Sequence, residues 1–184
     1  MVQIRHELAT DLSSVEELLD IAFGTGRHSK TSYRYRDGID PIAELSRIAE
    51  DTDGALIGTI RYWPIDLSGH GPALLLGPLA IRPDHHGRGI GRALVFSTLA
   101  DAEAMGYEVI FLVGDPAYYS RFAFALAPAR IVMPGERPER LQYRLLGEGR
   151  LPDTASTILR ARCLRDKVAA VKPPEPAFAV RSRG

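Results

Sequence analysis

Ile81-Arg82-Pro83-Asp84-His85-His86-Gly87-Arg88-Gly89-Ile90-Gly91-Arg92-Ala93-Leu94 decides how the rest of the chain is read. An apolar run, Ala73 to Ile81, leads into this stretch, and a helical pattern leaves it from about Gly89 to Met105. The order is strand, glycine-rich turn, helix. Glycines at 87, 89 and 91 let a ligand approach the backbone with no Cβ in the way. The next helix starts in the same turn, so its unpaired N–H groups and positive dipole end point there. Such a turn is an anion site, and phosphate is the anion it suits best.

Glycine spacing separates the candidate phosphates. A dinucleotide fingerprint, G-x-G-x-x-G, needs a last glycine where Arg92 or Leu94 stands. A P-loop needs Gly-Lys, and the chain has no such pair. What remains is x-x-Gly-x-Gly after a strand and Pro83. Here the sequence resembles the GNAT superfamily of N-acetyltransferases, whose pyrophosphate loop reads Gln/Arg-x-x-Gly-x-Gly/Ala after a hydrophobic-x-Pro. Ile81-x-Pro83 and His86-x-x-Gly89-x-Gly91 match in register, with His86 where Gln or Arg is usual. The resemblance implies acetyl-CoA as acyl donor. Its pyrophosphate would be held by His86, Gly87, Arg88, Gly89, Ile90, Gly91 and Arg92, chiefly through backbone N–H groups.

Composition bounds the rest. At 184 residues and 45% apolar content, one domain with a proper core is expected. We place the acetyltransferase domain at 1–170 and a Pro-rich tail at 171–184. Lys+Arg and Asp+Glu both number 23, which argues against nucleic-acid binding driven by bulk charge. The single Cys163 rules out internal disulfides and thiolate zinc sites, and no metal is expected. The N-terminus has no apolar signal core, and Ala73–Ile81 is about half of the roughly 20 residues a membrane span requires. A soluble, cytoplasmic protein is expected, its partners being acetyl-CoA and a small-molecule or peptide amine.

Val2-Gln3-Ile4-Arg5 alternates and predicts a short strand. Asp11 or Ser13 can cap the next helix, Ser13 and Glu16 having capping-box spacing. Leu12, Val15, Leu18, Leu19 and Ala22 share one face of it, and Gly24 and Gly26 end it. Residues 27–38 are basic and aromatic. They read either as a solvated loop or short amphipathic helix, or as a wall of the acceptor site, with Arg27 and Tyr33 as substrate-binding candidates. The family often lines that site with the segment after the first helix. The positive charge would then suit an acidic acceptor or the cofactor's phosphates.

Leu45–Glu50 and Ala55–Trp63 predict a hairpin around Asp51-Thr52-Asp53-Gly54, with Pro64 beginning the end of the second strand. In the strand Ala73–Ile81, Gly77-Pro78 is out of place unless it is a bulge. A bulge would free backbone groups of Leu79, Ala80 and Ile81 from the ladder. In the family the corresponding strand splays from its neighbour and pairs with the pantetheine arm of CoA. The helix after the turn presents Gly91, Leu94, Val95, Thr98, Leu99, Ala102 and Met105 on one face, and Val109–Val113 reads as a buried strand. Strand, helix and strand make a right-handed parallel crossover, with the turn at the strands' carboxyl ends. Arg130–Met133 and Leu141–Leu146 predict two closing strands, and residues 150–170 a polar helix. The fold class is α/β: a mixed, mostly antiparallel sheet of six or seven strands, splayed at a bulge beside a central parallel pair and flanked by helices.

Pro116 suits the first turn of a short helix capped by Asp115. GNAT proteins commonly carry Tyr-x-x-x-Gly-Phe, and Tyr119 and Phe124 keep that spacing with Ala123 for the Gly. The resemblance makes Tyr119 the acid that protonates the leaving thiolate, with Tyr118 as its rival and a packing aromatic as the plainer role. A backbone N–H near Leu79 would polarise the thioester carbonyl. The family's base, a Glu on the strand Ala73-Leu74-Leu75-Leu76-Gly77, is absent, and Glu44, Asp66 and His70 are conceivable substitutes. The expected activity is acetyl transfer to an amine in a ternary complex. The alternatives are another acyl-CoA donor, or a catalytically weak CoA-binding sensor.

Overall fold

The apolar run before the glycine-rich turn is β4 (Gly71–Ile81), at the middle of the sheet. The computed structural model describes residues 2–161. Across the sheet the order is β1 (Gln3–His6), β2 (Arg47–Glu50), β3 (Leu56–Leu67), β4, β5 (Val109–Val113), β8 (Leu141–Leu145) and β6 (Ala125–Leu126). Two further strands, β7 (Ile131–Val132) and β9 (Ser156–Arg160), join through β3, making nine among the described residues. The expected six or seven fell short by β6, whose two residues carry too little pattern to be seen, and by β9, which falls where a polar helix was expected. The β4–β5 pair is parallel, and so is the short β7–β9 pair; the rest are antiparallel.

Two helices clamp β3 and β4 from opposite faces. α3 (Ile90–Ala104) lays Leu94, Val95, Leu99 and Ala102 over Ile57, Ile60, Tyr62, Leu74 and Leu76. α1 (Leu12–Phe23) lays Val15, Leu18 and Leu19 over Ile48 and Ala80 on the other side. Neighbouring strand residues go to opposite cores, as a period of two requires. Met105 and Leu12, both assigned to apolar faces, sit at helix ends and are exposed. The Ser13–Glu16 capping box does not form. Asp11 is the N-cap, its carboxylate is spent on Leu8 N–H and Arg5, and Glu16 turns to Arg27 and Arg61.

Pro64 does not end its strand, since β3 runs on to Leu67. Ser68 N–H donates to Thr157 O, so residues 64, 66 and 68 turn their main-chain groups toward the edge shared by β2 and β9. β2 pairs only up to Ile60 and β9 only from Ile65. Pro64, which has no N–H to offer, therefore falls in the gap between them. The polar helix expected over 150–170 is replaced, in its described part, by β9, whose Ile158 is fully buried beside β3. The proposed tail at 171–184 and the domain boundary near 170 lie outside the described residues.

Candidate functional site

Gly77-Pro78 is a bulge. Ile60 pairs with Leu79 and Tyr62 with Leu76, so two residues of β4 face one of β3. The ladder to β3 then resumes, so the bulge does not release Leu79–Ile81 from that side. What opens is the other edge, because β4 pairs with β5 only at Leu74 and Leu75. Arg82 N–H donates to Ile57 O, which makes 57–82, and therefore 59–80, the hydrogen-bonded pairs. Ala80 consequently faces Thr59, while Leu79 and Ile81 turn their N–H and C=O groups to the open edge. The family-implied pairing surface is thus Leu79 and Ile81.

That edge borders a cleft of 690 Å³ between the end of α1, the glycine-rich turn and the short helix α4 (Pro116–Tyr119). Gly87 and Gly89 have φ of +76° and +77°, and a Cβ at either would meet nothing. The turn is therefore open where the free N–H groups of α3 emerge. Of the cleft's charged or titratable side chains, His85, His86, Arg92 and Arg121 are basic, and none is a carboxylate. Open glycines, a helix N-terminus and a cationic wall fit a pyrophosphate. Arg88 is exposed and is not part of the cleft wall.

Two residues of the motif do other work. The His86 imidazole lies 3.0 Å from Ile81 O, and its backbone N–H is spent on Pro83 O. It buckles the turn onto the end of β4. Gly91 lies inside α3, and a Cβ there would collide with the Tyr118 hydroxyl. The room at Gly91 is for a protein side chain, which the glycine spacing alone did not reveal.

Tyr118 and Tyr119 stand on α4, capped by Asp115, whose carboxylate accepts the Ala117 N–H at 3.0 Å. The Tyr119 ring lies on Gly114, where a Cβ would overlap it, and packs edge-on against Phe122 and Phe124. Ala123, replacing the family's Gly, takes the left-handed φ of 58°. Tyr119 lines both the cleft and a second cavity of 330 Å³, and so does Leu79. The two proposed catalytic groups, with Phe23, form the wall common to these spaces. Burial pushes the Tyr119 phenol well above its ordinary range, so the proton stays on at neutral pH. Burial also raises Tyr118, against a smaller opposing pull from Arg121.

A third cavity, of 530 Å³, continues from the second, with Tyr33, Arg36 and Pro78 lining both. Its wall is the basic segment after α1, including α2 (Thr31–Arg34). Arg27 and Tyr33 are both there. Arg27 is buried, and its fork is engaged by Asp20, Glu16 and the Tyr33 hydroxyl. Glu16 also holds Arg61, which Glu7 completes. Burial disfavours the Glu16 charge, but hydrogen bonds from Arg27 and Arg61 outweigh this and leave it below the usual carboxylate range. Glu16, Arg36 and Trp63 were not singled out in the sequence. The alternation Tyr33-Arg34-Tyr35-Arg36 was the available signal for Arg36.

None of Glu44, Asp66 and His70 lines these three hollows. His70 sits at the β3–β4 turn, 3.4 Å from Glu108, at the far end of β4 from the glycine-rich turn. The described residues contain no group of three or more His, Cys, Asp or Glu side chains suited to a metal. No helix among them is long and apolar enough to cross a membrane.

Residues 12–124 match the model of the Acetyltransferase (GNAT) family. The Escherichia coli protein described as "Uncharacterized N-acetyltransferase YhbS" is 33% identical over 125 residues, 67% of this chain and 74% of that one. The crystal structure of YhbS in complex with CoA superposes with a TM-score of 0.73 at 28% identity, covering 85% of this chain and 88% of that one. A Brucella melitensis GNAT acetyltransferase in complex with acetyl-CoA shares the fold, with a TM-score of 0.63, 24% identity and coverage of 85% and 94%. With the family match spanning more than half the chain, this protein belongs to the GNAT superfamily of N-acetyltransferases.

Proposed function

We propose that this protein transfers an acetyl group from acetyl-CoA to an amine by direct attack in a ternary complex. The observation that carries this reading is that Leu79 and Tyr119 line both the cationic cleft and the adjoining cavity. A donor bound along the cleft would bring its thioester to the wall shared with the cavity, and an acceptor would reach it from the cavity side. Gly87, Gly89 and the first N–H groups of α3 hold the pyrophosphate, with Arg92 and Arg121 adding charge. Leu79 presents its main-chain groups, and Ile81 its N–H, to the pantetheine arm, the Ile81 carbonyl being engaged by His86. The Leu79 N–H polarises the thioester carbonyl, a neutral amine forms the C–N bond as the C–S bond breaks, Tyr119 gives its proton to the departing sulfur, and the proton shed by the amine restores the phenol through water. Arg27 and Tyr33 shape the acceptor wall.

A buried phenol titrates above a thiol, so the proton transfer is not strongly driven. Positioning accounts for most of the rate, and Tyr119 adds a smaller factor. The missing Glu on β4 favours a second reading, a CoA-binding sensor with weak catalysis. The test is free-thiol release from acetyl-CoA across a panel of amines. Amine-dependent release supports transfer; tight CoA binding with no release for any amine supports the sensor.

A further inference from the structure

Arg36 is a buried cation with nothing to neutralise it. It is 9% exposed, and what remains exposed borders the two inner cavities. Its Nε is enclosed without a hydrogen-bond partner, and none of the ion pairs among the described residues includes it. The contrast with its neighbours is sharp. Arg27 and Arg61, equally buried, are held by Glu16, Asp20 and Glu7. Burial pulls Arg36 down to about 10, which leaves it protonated at neutral pH. A buried charge with no partner destabilises a fold, and such a group is kept where it has a use.

The surroundings say what can reach it. The rings of Tyr33 and Trp63 lie against the guanidinium, with centroids 4.8 and 5.9 Å from Cζ. With rings stacked on the guanidinium and Nε enclosed, the two Nη groups are the approach left to a ligand in the cavities. A planar carboxylate meets them with two parallel hydrogen bonds. The same walls carry Asp37 and Glu136 beside Lys30, Arg34, Arg140 and Arg160, so it is the planar fit to the guanidinium, not the wall charge, that favours a carboxylate. Tyr119 and Arg36 line one cavity, so one small molecule can touch both.

We propose that Arg36 receives a carboxylate of the acceptor, making the preferred substrates amines that also carry a carboxylate. This rests on the acetyl-transfer reading above. The probes are N-acetyl amino acids of increasing chain length and their carboxamides, titrated by calorimetry into CoA-saturated and CoA-free protein. Such product analogues need no turnover. At least one acid should bind about tenfold or more tightly than its amide, the usual scale for a charge-assisted pair. Arg36→Gln should erase that preference while leaving acetyl-CoA affinity unchanged. If Arg36→Gln does not fold, Arg36→Lys keeps the charge without the fork and should weaken the preference several-fold. The inference is overturned if no acid outbinds its amide, if the preference survives the folded Gln variant or is undiminished in the Lys variant, or if matched phosphonates bind more tightly than the carboxylates. Failure of the acetyl-transfer reading looks different: the wild-type protein would not bind acetyl-CoA, or would release no thiol with any amine.

Discussion

The ring of Tyr119 rests on Gly114 so closely that a single methyl group at residue 114 would overlap it. Gly114 closes β5, and its N–H donates to Arg140 O, so the seat of the tyrosine is tied to the sheet. A methyl group there must push the ring away while α4 stays capped by Asp115. Gly114→Ala should therefore lower kcat by roughly tenfold or more, in the range that a misplaced acid costs, with acetyl-CoA affinity little changed. Steady-state kinetics beside calorimetry checks this. Wild-type kcat in a folded Gly114→Ala protein would show that the ring's position does not matter.

Gly91 does the same for Tyr118. Gly91→Ala should destabilise the fold by about 1–3 kcal/mol through overpacking, because the Tyr118 hydroxyl fills the space. The double variant Gly91→Ala with Tyr118→Phe should recover part of that loss. Thermal unfolding of the two proteins decides it, and an unchanged Tm in the single variant would contradict the packing argument.

At Gly89 the space is open, so charge can be tested apart from bulk. Asn and Asp both tolerate left-handed φ better than other side chains. Gly89→Asn should bind CoA with modest loss. Gly89→Asp should bind at least about tenfold more weakly than the Asn variant, since its carboxylate would face the pyrophosphate; tenfold corresponds to about 1.4 kcal/mol. Equal affinities by calorimetry would remove the pyrophosphate from this turn.

His86 borders the cleft, but its imidazole is held by Ile81 O. Its role as a buckle predicts that His86→Gln, whose amide can donate to the same carbonyl, binds CoA within a few-fold of wild type. His86→Ala should lose more, about the value of a hydrogen bond, roughly 1 kcal/mol. If Gln and Ala variants weaken CoA equally, the imidazole is acting on the ligand itself.

Much of this was visible before the structure. The strand–turn–helix order, the bulge and the Asp115-capped turn carrying Tyr119 all follow from local chemistry: a proline that cannot donate, glycines, and an apolar period. The misreadings arose where a residue's role depends on something distant in the chain. Gly91 borders the cleft, but that its missing Cβ also makes room for Tyr118 could not be read, because Tyr118 is 27 positions away in sequence. Glu16 looked like a capping residue because its partners Arg27 and Arg61 come from other elements. Pro64 looked like a strand end because the gap it occupies is made by β2 and β9 together. β9 itself was hidden, since five residues with one buried Ile158 carry little alternation to read. Arg36 stood in plain view within a basic stretch, yet only the fold shows that it is buried without an ion-pair partner.

We propose acetyl transfer at the wall shared by the cleft and the inner cavities, with Tyr119 protonating the sulfur. The most direct measurement is kcat for free-thiol release by Tyr119→Phe, with Tyr118→Phe as the matched control, using whichever amine the wild type accepts. Phe keeps the ring on Gly114, so only the hydroxyl is lost. The account predicts that kcat and kcat/KM of Tyr119→Phe fall together, toward the low end of the ~10²–10⁴-fold range for general acids, while Tyr118→Phe keeps most of its activity. A Tyr119→Phe protein that turns over at the wild-type rate, or a Tyr118→Phe protein that is the crippled one, would contradict it.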